Sequence, residues 1–153
     1  MDLPAYFISC DWGTSNFRLR LIHTASLDII SERVSNQGIK ELYATYLQQD
    51  NYDQTTFFSN YLQAQIKQLD RPERAEIVVV AGMASSNMGL QELPYGKMPF
   101  GAHGNGLVIR QLPLNQWEVL LISGVKTDGN MMRGEETQAI GLSKLLSQQK
   151  NGL

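Results

Sequence analysis

Apolar and polar residues alternate with a period of two over the first part of the chain. Tyr6 to Cys10 is a short apolar run stopped by Asp11-Trp12-Gly13, which predicts a strand entering a tight polar turn. Phe17, Leu19 and Leu21 then share one face while Arg18, Arg20 and Ile22 share the other, as in a second strand paired with the first. After Thr24 to Ser26, a third strand over Leu27 to Val34 completes a predicted antiparallel meander. The period then lengthens. Phe57, Phe58, Tyr61, Leu62, Ile66 and Leu69 recur near every 3.6 residues, predicting a helix from Asp53 to Leu69 with Asp53 as its N-cap. Arg71-Pro72-Glu73 interrupts it, and Glu76 to Ala81 reads as a buried strand that leads into Gly82 and lies parallel to an earlier one. Residues 82–106 are rich in Gly, Ser, Asn, Pro and Met, and a long irregular segment of this kind is where a site is expected. Leu107 to Leu112 and Trp117 to Ser123 predict two strands around a turn at Pro113 to Asn115. Arg133 to Gln149 carries Thr137, Ile140, Gly141, Lys144 and Leu145 in a helical pattern, which Gly141 weakens. The element order implies an α/β fold with a mixed sheet and flanking helices. No internal repeat, low-complexity tract or linker divides it.

Composition narrows the class. A chain of 153 residues, 42% of them hydrophobic, is expected to form one domain over residues 1–153 and to bury about 68–70% of its unfolded surface without metal or disulfide support. The single cysteine, Cys10, excludes a disulfide scaffold and fits a reducing compartment. Thirteen basic against 15 acidic residues, a net charge of -2, argues against a nucleic-acid partner held by phosphate neutralisation. The longest apolar runs, Ile77 to Ala81 and Val119 to Ile122, are far short of the ~20 residues that span a bilayer. The opening Met1-Asp2-Leu3-Pro4 lacks the basic region and apolar core of a secretory signal, so no membrane partner and a cytoplasmic location are expected.

Three constellations carry candidate chemistry. In Asp11 to Asn16, a glycine in a turn between strands lets backbone amides approach an anion, and Thr14, Ser15 and Asn16 add side-chain donors. Phosphate is the natural ligand, and Asp11 at the strand end could hold Mg²⁺, which commonly takes one or two carboxylates with phosphate oxygens. The competing explanation is a β-turn in which Asp11 and Ser15 satisfy backbone groups. Ser85, Ser86 and Asn87 follow a buried strand at its carboxyl end, where open α/β sheets place ligands; their hydroxyl and amide groups suit a polyhydroxy substrate, or else cap a short helix. Met83 and Met88 read more simply as core filler. In Arg133-Gly134-Glu135-Glu136 two carboxylates open a helix, where they complement its dipole. Alternatively, one takes a substrate hydroxyl proton, a contribution of typically ~10²- to 10⁴-fold, while Arg133 offsets anionic charge. Arg18 and Arg20 share a strand face and could line an anion site, His103 sits between glycines of a loop, and Cys10 alternates away from Asp11 into the core. No Walker A sequence, nucleophile elbow or Cys/His metal spacing occurs. The clustered carboxylates and basic face of a metal-dependent nuclease are not evident either.

Asp11 to Asn16 after an N-terminal strand, Gly82 to Ser86, Pro94-Tyr95, and Ile122 to Thr127 running into the string Met132 to Gln138 stand in an order that resembles the 2-dehydro-3-deoxygalactonokinase family, from about Tyr6 to Leu146. The resemblance implies a ribonuclease-H-like lobe of the actin, hexokinase and sugar-kinase superfamily. It implies that ATP with Mg²⁺ phosphorylates the 6-hydroxyl of 2-dehydro-3-deoxy-D-galactonate in galactonate breakdown. Carried onto this sequence, Asp11, Gly13, Thr14, Ser15 and Asn16 form the nucleotide phosphate motif, with Asp11 as the metal residue. Arg18, Met83, Ser85, Ser86 and Tyr95 become the sugar-acid contacts, and Arg133, Glu135 and Glu136 the catalytic groups, with Glu135 the preferred base. Kinases of this kind close two lobes around a cleft, and the second supplies another phosphate loop and the adenosine pocket. That lobe is expected on another chain or in a second copy of this one. The alternative is a truncated, non-catalytic lobe that binds sugar acid or phosphate without turnover.

Overall fold

The computed structural model describes residues 4–97, 108–127 and 130–132. Its elements run β1 (Tyr6–Trp12), β2 (Phe17–His23), β3 (Ile29–Ser35), α1 (Ile39–Tyr46), α2 (Gln54–Ile66), β4 (Ile77–Gly82), β5 (Gly96–Lys97), β6 (Ile109–Leu114), β7 (Trp117–Ile122), β8 (Val125–Thr127) and β9 (Asn130–Met132). Six strands form one mixed sheet in the order β3-β2-β1-β4-β7-β6, and β5-β8-β9 form a small second sheet. The expected meander is present, since β1 pairs antiparallel with β2 and β2 with β3. The two helices then carry the chain across the sheet, and β4 returns parallel to β1, as a strand reached by a helical crossover must to share its direction. The α/β class with a mixed sheet is thus the observed one.

Alternation sorts each strand into two faces. Ile8, Cys10 and Trp12 of β1 stand across from Leu21, Leu19 and Phe17 of β2 and beside Val78, Val80 and Gly82 of β4, so one face of the sheet is continuously apolar. Helix α2 lays Phe58, Leu62 and Ile66, spaced four apart, against that face. Asp53 caps it as expected: its carboxylate accepts the Thr56 backbone N–H at 2.8 Å, a hydrogen bond that holds the group below the usual carboxylate range. Phe7, Val79, Leu120 and Ile122 alternate to the opposite face and are buried too.

Several elements differ from the sequence expectation. β1 does not stop at Cys10, because Asp11 and Trp12 still pair with Arg18 and Phe17; the turn begins only at Gly13. Leu27 has a left-handed backbone, φ 61°, so it belongs to the turn before β3 and not to the strand. Pro113 lies inside β6, where the turn was expected. β6 is an edge strand, and an edge can leave the missing proline N–H on its unpaired side; left-handed Asn115 with Gln116 makes the turn instead. Helix α1 has no counterpart in the predicted elements, although Ile39, Leu42, Tyr43 and Tyr46 keep the i, i+3, i+4, i+7 spacing of a helix face. The expected helix from Arg133 to Gln149 lies outside the described residues. No described helix is long and apolar enough to cross a membrane.

Cys10 gives the fold a measurable signature. Burial, reinforced by the neighbouring Asp11 charge, pushes its thiol well above the ordinary value of 9.0. The folded chain therefore keeps the proton while the unfolded chain releases it above about pH 9, so this group's contribution is intact below that pH and falls as pH rises through it. Cys10→Ala should cost about 1–2 kcal/mol near neutral pH from lost packing. Urea unfolding should show that gap narrowing between pH 8 and pH 10; a gap independent of pH would mean the thiol ionises as easily inside as outside.

Candidate functional site

Trp12 of β1 and Gly82 of β4 are neighbours at the carboxyl ends of two adjacent parallel strands. The segments that leave them, 13–16 and 83–95, therefore start side by side, at the sheet edge where α/β folds assemble sites. The first is a tight turn closed by a 2.8 Å hydrogen bond from the Gly13 N–H to the Asn16 carbonyl. Thr14, Ser15 and Asn16 are exposed on it, and their side chains make no hydrogen bond among the described residues. Asp11, two residues earlier, is half-buried on the face opposite Cys10 and stands directly across from exposed Arg18. Its carboxylate has no hydrogen bond or ion pair among the described residues. By contrast, Arg20, on the same face, donates to Glu32 at 2.6 Å and holds that carboxyl below its usual range. A lone carboxylate beside a donor-rich turn suits Mg²⁺ bound mainly through phosphate oxygens. It does not suit a protein cage, and no cluster of three or more metal-ligating side chains occurs among the described residues.

The turn is fixed from behind by α1. The Ile39 and Lys40 N–H groups donate to the Gly13 and Thr14 carbonyls at 2.9 and 3.1 Å, so the first turn of the helix docks onto the backbone of the candidate phosphate turn. Gly38 makes this approach possible. A Cβ there would lie 2.3 Å from the Thr14 carbonyl oxygen and 2.5 Å from the Ser15 carbonyl carbon, backbone atoms that cannot rotate away. Beside this contact a cleft of about 320 Å³ opens, lined by Thr14, Ser15, Asn36, Gln37, Lys40 and Glu41.

The second segment begins at Gly82, whose φ of 99° and closeness to the Trp12 carbonyl (2.6 Å from a would-be Cβ) both demand glycine. A 3₁₀ turn over Met83–Ser85 follows. Ser86 then folds the loop on itself: its hydroxyl donates to the Met83 carbonyl at 2.7 Å and accepts the Met88 N–H at 3.3 Å. Gln54, the first residue of α2, clamps the loop by donating to the Asn87 and Gly89 carbonyls at 2.9 and 2.8 Å. The result walls a cavity of about 580 Å³ with Met83, Ser86, Asn87, Glu92, Leu93, Pro94 and Tyr95. That volume suits a six-carbon sugar acid.

Of the expected sugar-acid contacts, Met83, Ser86 and Tyr95 line this cavity. Ser85 does not; it is fully buried, with its hydroxyl 3.4 Å from the Gly82 carbonyl. Arg18 joins Asp11 at the phosphate turn and does not line the cavity. Arg133, Glu135, Glu136 and His103 lie outside the described residues. Asn36, Gln37 and Lys40 were not singled out in the sequence. Their signal was the helical spacing of Ile39, Leu42, Tyr43 and Tyr46, which places a helix start just after β3.

Comparison with known proteins agrees with this architecture. Residues 11–153 match the sequence profile of the 2-keto-3-deoxy-galactonokinase family. The chain is 29% identical over 144 residues to the 2-dehydro-3-deoxygalactonokinase of Escherichia coli strain K12, covering 94% of itself and 44% of that protein. It is 26% identical over 145 residues to the probable 2-dehydro-3-deoxygalactonokinase of Rhizobium meliloti strain 1021, covering 92% of itself and 43% of the relative. The chain thus spans less than half the length of these curated relatives. A crystal structure from Sinorhizobium meliloti, titled for a 2-dehydro-3-deoxygalactonokinase protein, shares the fold with a TM-score of 0.64 at 24% identity, over 92% of this chain and 43% of that one.

The Gly38 contact can be tested directly. Gly38→Ala should push α1 off the turn, lower stability by about 1–3 kcal/mol as overpacking does, and shift the amide resonances of Gly13 to Asn16 with those of Ile39 and Lys40. An unfolding midpoint and turn resonances equal to those of the parent would show that the helix is not docked.

Proposed function

Because this chain belongs to the 2-keto-3-deoxy-galactonokinase family, we propose that it forms one lobe, the N-terminal one, of a cytoplasmic kinase that transfers phosphate from ATP to the 6-hydroxyl of 2-dehydro-3-deoxy-D-galactonate. The observation that carries the reading is the shared starting edge of the two segments: the phosphate turn leaves Trp12 where the serine-containing loop leaves Gly82. A phosphoryl donor on the first thereby comes within reach of an acceptor hydroxyl in the second, and positioning of this kind is most of what phosphoryl transfer asks of a protein. The Thr14 and Ser15 hydroxyls hold the phosphate chain, Asp11 orients the metal, and Arg18 across from it adds positive charge. Mg²⁺, when bound, screens the charge on the phosphate oxygens. Ser86, Asn87 and Tyr95 hold the sugar acid. Glu135 takes the proton from the 6-hydroxyl, with Glu136 as its alternative, and Arg133 offsets charge on the transferred group. A second lobe, outside these 153 residues, supplies the adenosine pocket; the 43% and 44% coverage of the relatives supports this division. The same coverage favours a second reading, a lobe that binds sugar acid or phosphate without turnover.

Coupled ADP release with ATP, Mg²⁺ and 2-dehydro-3-deoxy-D-galactonate, run beside calorimetric titration of each ligand, decides between them. The expected result is saturable binding of the sugar acid, Mg²⁺-dependent nucleotide binding that Asp11→Asn abolishes, and sugar-dependent ADP release once the C-terminal portion of a relative is added. Binding without release in that mixture supports the non-catalytic lobe. A chain that binds neither ligand refutes both.

A further inference from the structure

We infer that the cleft between the Gly13 to Asn16 turn and the start of α1 is an anion subsite in which Lys40 supplies the positive charge, so that the phosphate chain of the bound nucleotide is gripped by the helix as well as by the turn. The identity of the anion rests on the kinase reading; the subsite itself rests on four observations. First, every residue that lines the cleft is polar or charged: these are Thr14, Ser15, Asn36, Gln37, Lys40 and Glu41, and at about 320 Å³ the cleft has room for a phosphate group with its water. Second, Lys40 makes no ion pair or side-chain hydrogen bond among the described residues, and the Thr14 and Ser15 hydroxyls, on residues that line the same cleft, also lack protein partners there. Three residues with side-chain donors thus border one cleft without an acceptor of their own among the described residues.

Third, the placement of Lys40 is not left to a mobile surface. Its own backbone N–H donates to the Thr14 carbonyl at 3.1 Å, with the Ile39 N–H on the Gly13 carbonyl beside it, so the lysine stem starts one hydrogen bond away from the turn. Fourth, the loop that leads to it is tied into the core, since the Trp12 indole N–H donates to the Gln37 carbonyl at 3.2 Å. The fixed backbone places the start of the exposed lysine stem beside the turn. Glu41, on the same rim, opposes an anion. It sits in the first turn of α1, where its charge complements the helix dipole, and it should weaken the subsite and not assist it.

The test is NMR titration of the isotopically labelled full chain with sodium tripolyphosphate at low ionic strength, following the Gly13, Thr14 and Ser15 amides, for the parent and for Lys40→Met, Lys40→Arg and Glu41→Gln. Methionine, arginine and glutamine are all good helix formers, so each variant should keep α1. Lys40→Met should weaken binding about tenfold, as loss of a charge-assisted contact does, Lys40→Arg should restore most of it, and Glu41→Gln should tighten it about two- to threefold. Equal affinity of the parent and Lys40→Met, with turn amides that still shift, would overturn the subsite and leave the kinase reading standing. Lys40-dependent tripolyphosphate binding in a chain that does not bind ATP with Mg²⁺ would do the reverse. Turn amides that never shift would overturn both.

Discussion

Trp12 is the residue on which the site depends. It is fully buried, with its ring edge-on to Phe17 at 5.0 Å and to Phe58 at 5.6 Å and tilted against Tyr61 at 5.7 Å, so it locks the end of β1 to β2 and α2 at once. Aromatic contacts of this geometry add to the energy of burial. Its polar atoms reach the remaining elements. The indole N–H holds the loop before α1 through Gln37, and its carbonyl oxygen abuts Gly82, from which the second loop departs. One residue therefore sets, through its side chain and its carbonyl, where the phosphate turn, α1 and the serine loop begin. Gly38 and Gly82 are the complement of that anchor, absent side chains that let backbone come against backbone around it.

Much of this fold could be read along the chain because its strongest signals are local. The alternation of Phe17, Leu19 and Leu21 with Arg18 and Arg20, the Asp53 cap and the apolar run before Gly82 each depend on neighbours a few residues away, and each became the expected element. The turn at Asn115 and the true end of β1 were less legible. Whether Pro113 sits in a strand depends on β6 being an edge, and whether Asp11 belongs to a strand depends on Arg18 having a partner across from it. Those are facts of pairing, which no local pattern carries. The site divides in the same way. Asp11 to Asn16 announced itself as one string, whereas Lys40 reaches the turn from more than 20 residues onward because β3 returns the chain to the same sheet edge. Ser85 and Ser86 look alike in sequence, yet only Ser86 faces the cavity, because a 3₁₀ turn sends the first serine inward.

The polar groups of the phosphate turn differ from those that brace the fold around it. Side chains that brace the fold are paired, Arg20 with Glu32, Arg33 with the Gln65 amide and, close to the carboxyl edge of the sheet, Ser35 with the Tyr61 hydroxyl and Asp53 with the Thr56 N–H, while the buried Thr24 hydroxyl has no partner among the described residues. At that edge, Asp11, Thr14, Ser15 and Lys40 point outward without protein partners among the described residues. A scaffold gains nothing from leaving donors and a carboxylate together in that state. A site does, because each ligand contact is then made without first breaking an internal one.

Strand register holds this separation in place. Cys10 and Asp11 are adjacent, and alternation sends the first into a fully buried position and the second to the face that carries Arg18. A slip of one residue in β1 would exchange them, burying a carboxylate against Val80 and Leu19 and moving the indole of Trp12 out of its aromatic cluster. Burying an unpaired charge and exposing the largest core side chain both oppose that slip, and the pairing of Trp12 with Gly82 opposes it independently, since only glycine tolerates the close approach there. The hydrophobic pattern that folds the sheet is therefore also what aims Asp11. Chemistry at the strand end needs no separate device to position it, because any register that misplaced the carboxylate would first have to unmake the core.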